Sequence, residues 1–112
     1  MTLAPDRLDK LVMEMRRGML ILAVLRALVR PHYGYSLRKQ LSAIGLEIDE
    51  GTLYPLLRRL EGQGLLVSRW EQEDGRKRRV YCIGADGLTA LQRMGDEWQK
   101  LNGVLEQLAE KS

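Results

Sequence analysis

The chain has 112 residues, enough for one domain with a modest core or for one domain carrying an appended element. Its 18 Lys and Arg against 15 Asp and Glu give a net charge of +3, and the excess is uneven: residues 1–83 hold 15 basic and 10 acidic side chains, residues 84–112 hold 3 and 5. A single cysteine, Cys82, excludes an internal disulfide, and one cysteine with one histidine, His32, leaves no metal centre or nucleophilic triad to assemble, so no catalysis, cofactor or metal is expected.

Pro5-Asp6 opens a segment with Leu8, Leu11, Val12, Met15, Met19 and Leu22 on one helical face, with Gly18 as a possible break. From Met19 to Val29 the helix is apolar almost all round. The run is short and interrupted by Arg26, so it is a core helix and not a membrane span, and Pro31 should end it. No signal peptide is visible ahead of it, which fits a soluble protein of a reducing compartment.

Tyr33-Gly34-Tyr35 is expected to turn. Leu37, Leu41 and Ile44 then mark a second helix stopped by Gly45. Asp49 is a good N-cap for a third helix, with Ile48 and Leu53 at the spacing of a hydrophobic staple. Leu53, Leu56, Leu57 and Leu60 form its core face, which leaves Gly51, Pro55, Arg58 and Gly62 outward with Thr52, Tyr54 and Arg59 on the flanks. Capping at Asp49 puts Pro55 in the second turn, where it should kink the helix. A start at Thr52 would put it in the harmless first turn; Asp49 gives the fuller helix.

Gly62 and Gly64 end that helix. Leu65–Trp70 and Arg78–Ile83 read as two strands around a polar tip, Glu71–Lys77, with Asp74-Gly75 as the turn signal. Gly84-Ala85-Asp86-Gly87 leads into a last helix in which Leu91, Met94, Trp98, Leu101, Leu105 and Leu108 are spaced 3, 4, 3, 4, 3. That is a heptad seam, and a narrow apolar stripe must be buried. A homodimer contact through these six residues is favoured over a helix folded back on its own domain.

Helix, strand, basic tip and strand make up the second half of a winged helix-turn-helix. The fold class expected is mainly α (α+β), with a two-stranded β wing in residues 1–83 and a dimerisation helix in 84–112. Gly75-Arg76-Lys77-Arg78-Arg79 beside Arg58 and Arg59 suits the phosphates of double-stranded DNA, with Tyr54 assisting. Groove edges would fall to the first half of the third helix, Gly51, Thr52 and Pro55 included, and to Arg58. Of Tyr33 and Tyr35, one is expected to pack and the other to hold a phosphate at the start of the second helix, Tyr35 being the better candidate. Trp98 reads either as simple seam packing or, with Met94 and Gly95, as a slot for a planar aromatic effector.

Tyr33-Gly34-Tyr35-Ser36-Leu37, the whole of Gly51–Glu61, Gly64-Leu65-Leu66, Ser68-Arg69-Trp70-Glu71 and Gly75-Arg76 together resemble the PadR family of transcriptional regulators, in its short subfamily with one C-terminal dimerisation helix. The resemblance implies a cytoplasmic dimer that binds a pseudo-palindromic operator and represses until an effector intervenes. Some short members hold flat aromatic drugs between paired tryptophans, and Trp98 falls at the matching place. Val80 departs from the family pattern where a tyrosine is usual, and Gly84 where a threonine cap is usual. The rival readings are a ligand-independent DNA-binding or architectural protein and a winged-helix module that docks on protein.

Overall fold

The computed structural model describes residues 4–111, so Met1–Leu3 and Ser112, at the outer ends of the two expected units, lie outside the described residues. Helix α1 spans Pro5–Ala27, with Pro5 in its first turn. It runs unbroken through Gly18: one glycine costs about 1 kcal/mol relative to alanine, which strong helix formers on both sides offset. The helix ends at Ala27, ahead of Pro31 and not because of it. Leu28 is fully buried and its carbonyl accepts the Ile83 N–H at 2.8 Å, so a bond to the sheet turns the chain out of the helix.

The expected turn at Tyr33 is instead a short strand, β1 (His32–Tyr33), and the helix α2 (Gly34–Ala43) starts directly after it. The remaining elements are α3 (Glu50–Gly62), β2 (Leu66–Glu73), β3 (Arg76–Ile83) and α4 (Ala85–Lys111). The sheet is antiparallel, in the order β1-β3-β2, with Tyr33 opposite Val80 and Trp70 opposite Arg79. The wing thus has a third strand on its inner edge.

Helices α2 and α3 end alike. After α2, Gly45 lies at φ +97°, Leu46 N–H reaches back to the Leu41 carbonyl (2.8 Å), and Gly45 N–H to that of Ser42 (3.0 Å). After α3, Gly64 at φ +79° does the same, with Leu65 bonded to Leu60 and Gly64 to Glu61. Both are Schellman motifs, which need a residue at ease with positive φ. Gly62, expected to share in stopping α3, is its last helical residue. Ile44 is 76% exposed and caps α2; it is not on the core face, because the helix closes one residue before it.

Asp49 occupies the N-cap position of α3, and its carbonyl, not its side chain, begins the ladder by accepting from Thr52 (3.1 Å) and Leu53 (2.9 Å). Ile48 and Leu53 are both buried, as a hydrophobic staple requires. The helix continues through Pro55 to Gly62. Leu53, Leu57 and Leu60 are buried at 0–1% exposure, joined by Val24 and Leu25 of α1, Leu28 just after it, Leu37 and Leu41 of α2, and Leu66, Tyr81 and Leu91.

The hairpin strands are longer than expected. Asp74 (φ 52°) and Gly75 (φ 77°) form a two-residue turn with both φ positive, and pairing begins at once with Glu73 opposite Arg76. The supposed seven-residue tip therefore shrinks to two, and Arg76–Arg79 belong to a strand. Helix α4 begins at Ala85, so Asp86 and Gly87 are part of its first turn and not of a leader. There the helix passes very close to the base of the hairpin: a Cβ on Gly87 would run into the carbonyl of Leu65, just ahead of β2, and lie 2.6 Å from Cγ1 of Ile83 at the end of β3. Gly87→Ala should cost about 1–3 kcal/mol by overpacking, whereas Gly62→Ala, with open space around it, should be neutral or stabilising by up to about 1 kcal/mol. Thermal unfolding of the two variants checks both signs.

Candidate nucleic-acid interface

Four elements converge on one open cleft of about 560 Å³: β1, the start of α2, the outer face of α3, and β3. It is lined by Tyr33, Gly34, Tyr35, Tyr54 and Tyr81 together with Arg58, Arg76, Lys77, Arg78 and Arg79. The α2–α3 junction is tight. A Cβ on Gly34 would lie 2.7 Å from Cε1 of Tyr54, so the ring edge rests against the glycine backbone and holds the Tyr54 side chain at the mouth of the cleft. Arg38 of α2 and Glu50 of α3 add an exposed ion pair at 2.6 Å.

Strand geometry sorts the four consecutive cations. Successive side chains of β3 point to opposite faces. Arg78 lies 5.9 Å from the Tyr33 ring centre, and Tyr33 donates its hydroxyl proton to Glu71 at 3.0 Å. Arg79 points the other way: its Nε donates to Ser68 Oγ at 2.8 Å, Nη2 approaches Glu61 at 3.5 Å, and the guanidinium lies 5.1 Å from the Trp70 ring centre. Mutual repulsion of the run is relieved by alternation and by these partners. Arg58, Arg76 and Lys77 make no ion pair or side-chain hydrogen bond among the described residues, and all three line the cleft.

The cleft gathers five cationic side chains, and one of its phenols has a further cation beside it. Tyr35 is half exposed with Lys39 4.7 Å from its ring centre, and the Lys39 hydrogen bond and charge hold its phenol below the usual value, Arg78 adding a smaller pull. Bonds from Arg69 and Tyr33 hold the Glu71 carboxyl below the usual range. Tyr81 moves the other way, because burial pushes its phenol up.

Of the residues expected to face DNA, Tyr35, Tyr54, Arg58 and Arg76–Arg79 come together in the cleft. Gly51, Thr52, Pro55 and Arg59 are exposed on α3 but do not line it. Tyr33 and Tyr81 line it and were not expected to; their signal, two aromatics at the Val80 end of the cation run, is visible only once β1 is paired with β3. The expected seam divides. Leu91 is 5% exposed in the core of its own chain and Met94 packs against that core, since the first turns of α4 lie on α1 and the sheet. Trp98, Leu101, Leu105 and Leu108 are 43–65% exposed. A groove of about 320 Å³ between α1 and α4 is lined by Trp98 and Gly95 with Met19, Leu22, Ala23, Arg26 and Gln99. Among the described residues, no group of three His, Cys, Asp or Glu is placed to hold a metal ion, and no helix is long and apolar enough to cross a membrane.

The profile of the Transcriptional regulator PadR-like family matches residues 21–93. The chain belongs to this family. The match takes in both helices of the cleft, the whole wing and the first turns of α4, and stops short of Trp98. The PadR-like chain is 49% identical over 59 residues to Transcriptional regulator Rv3488 of Mycobacterium tuberculosis. That stretch is 53% of this chain and 55% of the relative, so the chain spans about half the length of the curated relative it matches. A PadR family transcriptional regulator from Eggerthella lenta superimposes with a TM-score of 0.88 at 40% identity, covering 96% of both chains. Another from Clostridium difficile gives 0.73 at 27% identity, over 80% of this chain and 96% of that one. The family is one of transcriptional regulators and not of enzymes.

Tyr81 ties the PadR-like cleft to the core, which sets a pH response. Its folded phenol sits above the ordinary 10.0, so its contribution to stability is whole below that value and is lost as pH rises through and beyond it. The melting midpoint should fall more steeply from about pH 9 to about pH 11 in the parent chain than in Tyr81→Phe, as circular dichroism at each pH will record.

Proposed function

We propose that this protein is a homodimeric DNA-binding repressor that binds a pseudo-palindromic operator through α3 and the wing. The observation that carries the reading is the convergence of three unpaired cations, Arg58, Arg76 and Lys77, on a cleft between two projecting elements. A cleft of that kind matches a ridge of phosphates between two grooves. Tyr35, Tyr54, Arg76, Lys77 and Arg78 serve as phosphate contacts, and Arg58 with the exposed Gly51, Thr52, Pro55 and Arg59 face base edges. Residues 1–83 form the DNA-binding unit and residues 84–112 the dimerisation helix, whose first turns also complete the core through Leu91.

The dimer reading rests on two unpartnered apolar faces: Trp98, Leu101, Leu105 and Leu108 on α4, and Leu8, Leu11, Val12 and Met15 on α1, all of them exposed in the single chain. Two copies of α3 held at fixed spacing read two half-sites where one helix reads too little. A planar aromatic effector, held near Trp98 and Gly95, would act from this same region. The cytoplasm is the compartment where such a regulator meets DNA.

Arg58→Ala should reduce discrimination between sites by about 1–3 kcal/mol. Arg76→Ala should weaken binding to every duplex and lower the slope of log affinity against log salt by about 1. Salt-titrated binding with DNA upstream of the protein's own gene and with a scrambled duplex separates the two effects, and wild-type affinity in both variants would sink the reading. Leu105→Asp should reduce the light-scattering mass to that of one chain, whereas a wild-type chain that is already monomeric rejects the dimer.

A further inference from the structure

The end of α3 is tied to the wing by three side chains from three elements. Glu61, in the last turn of α3, accepts the Ser68 hydroxyl of β2 and lies 3.5 Å from Arg79 of β3, while Arg79 Nε donates to the same Ser68 oxygen at 2.8 Å. The Arg79 guanidinium lies against the ring of Trp70, 5.1 Å from its centre, which limits its freedom on the remaining side. A carboxylate in the last turn of a helix opposes the helix dipole, so its presence there calls for a cation close by. Arg79 is that cation. The group also borders the DNA-facing cleft: Tyr81 feels the charges of Arg79, Glu61 and Arg58 together.

We infer that Glu61, Ser68 and Arg79 form a strut that fixes the wing relative to α3, and that Arg79 is a positioning residue and not one of the phosphate contacts. This rests on the DNA-binding reading above and removes Arg79 from the phosphate contacts expected of the whole basic run. The hairpin ends in a tight turn, and its side-chain ties to the body run from Ser68, Glu71, Arg78 and Arg79, on the body side of the last two residue pairs. Arg76 and Lys77 therefore lie at the far end of a lever whose angle is set near Glu61 and Arg79. A single exposed ion pair holds little by itself. Here the pair shares a hydroxyl and a ring, so three groups restrict one guanidinium.

The test uses the sign of an electrostatic effect. Glu61→Ala removes a negative charge close to the cleft, which on charge alone should tighten binding to a polyanion. If Glu61 holds the strut, the same substitution weakens binding, because the wing loses its set angle. Affinity for a random-sequence duplex should fall about fivefold in Glu61→Ala and in Arg79→Gln, and the double variant should be no weaker than the singles. The salt slope should stay that of the wild type in all three, since no phosphate contact has been removed. The inference is overturned if Glu61→Ala binds as well as or better than the wild type, or if Arg79→Gln alone lowers the slope by about 1. Wild-type protein that binds no duplex rejects the DNA reading itself, a distinct outcome. Melting curves of the same variants, expected close to wild type, separate a displaced wing from an unfolded one.

Discussion

Everything outward about α3 depends on what it buries. Leu53, Leu57 and Leu60 are almost wholly enclosed, and three residues at that spacing fix the rotation of a helix about its axis. Turning α3 by one residue, about 100°, would bring Arg58 or Arg59 into a core that contains no buried charged side chain among the described residues. The face offered to solvent is therefore the complement of the leucine face. The core determines the interface by exclusion, and a leucine substitution on the inner face would disturb the site as surely as one on the outer.

The wing obeys a different constraint. Its strands carry charge on both faces beyond Val80, so no burial pattern sets its register; the two-residue turn and the ladder with β2 do so. Alternation then divides an arginine-rich run between two neighbourhoods. Arg78 is aimed at Tyr33, Arg79 at Ser68, Glu61 and Trp70, and the two cations nearest the turn are left without ion-pair or hydrogen-bond partners among the described residues. A sequence of four like charges becomes one that is tied down, Arg79, one that rests beside a ring, Arg78, and two that are free near the turn.

The sequence was most legible where the signal is local and periodic. The leucine spacing of α3, the cap position at Asp49, the turn at Asp74-Gly75 and the stops at Gly45 and Gly64 all rest on neighbours within a few residues. What it hid is equally specific. β1 has two residues, too few for an alternating pattern, and exists because β3 offers it an edge. Gly87 looked like part of a leader, because the carbonyl it must clear belongs to Leu65, far back in the chain. The same distance in sequence concealed the partners of Arg79. Ile44 matched the helical period yet lies past the helix end, since periodicity alone does not say where the ladder closes. Leu91 fitted the heptad and also fitted the core, and position in the fold chose the core.

The cleft has an unusual census: all four tyrosines of the chain line it, and both tryptophans lie outside its lining, Trp70 on the wing and Trp98 on α4. Spectroscopically the molecule is thus partitioned by residue type. Isotope-labelled tyrosine rings, or the ultraviolet absorbance of phenol ionisation, report on one region alone, with no background from elsewhere in the fold. Indole emission reports on the wing and the α1–α4 groove. An event at the cleft and an event at the helix groove can accordingly be timed against each other in one unmodified sample.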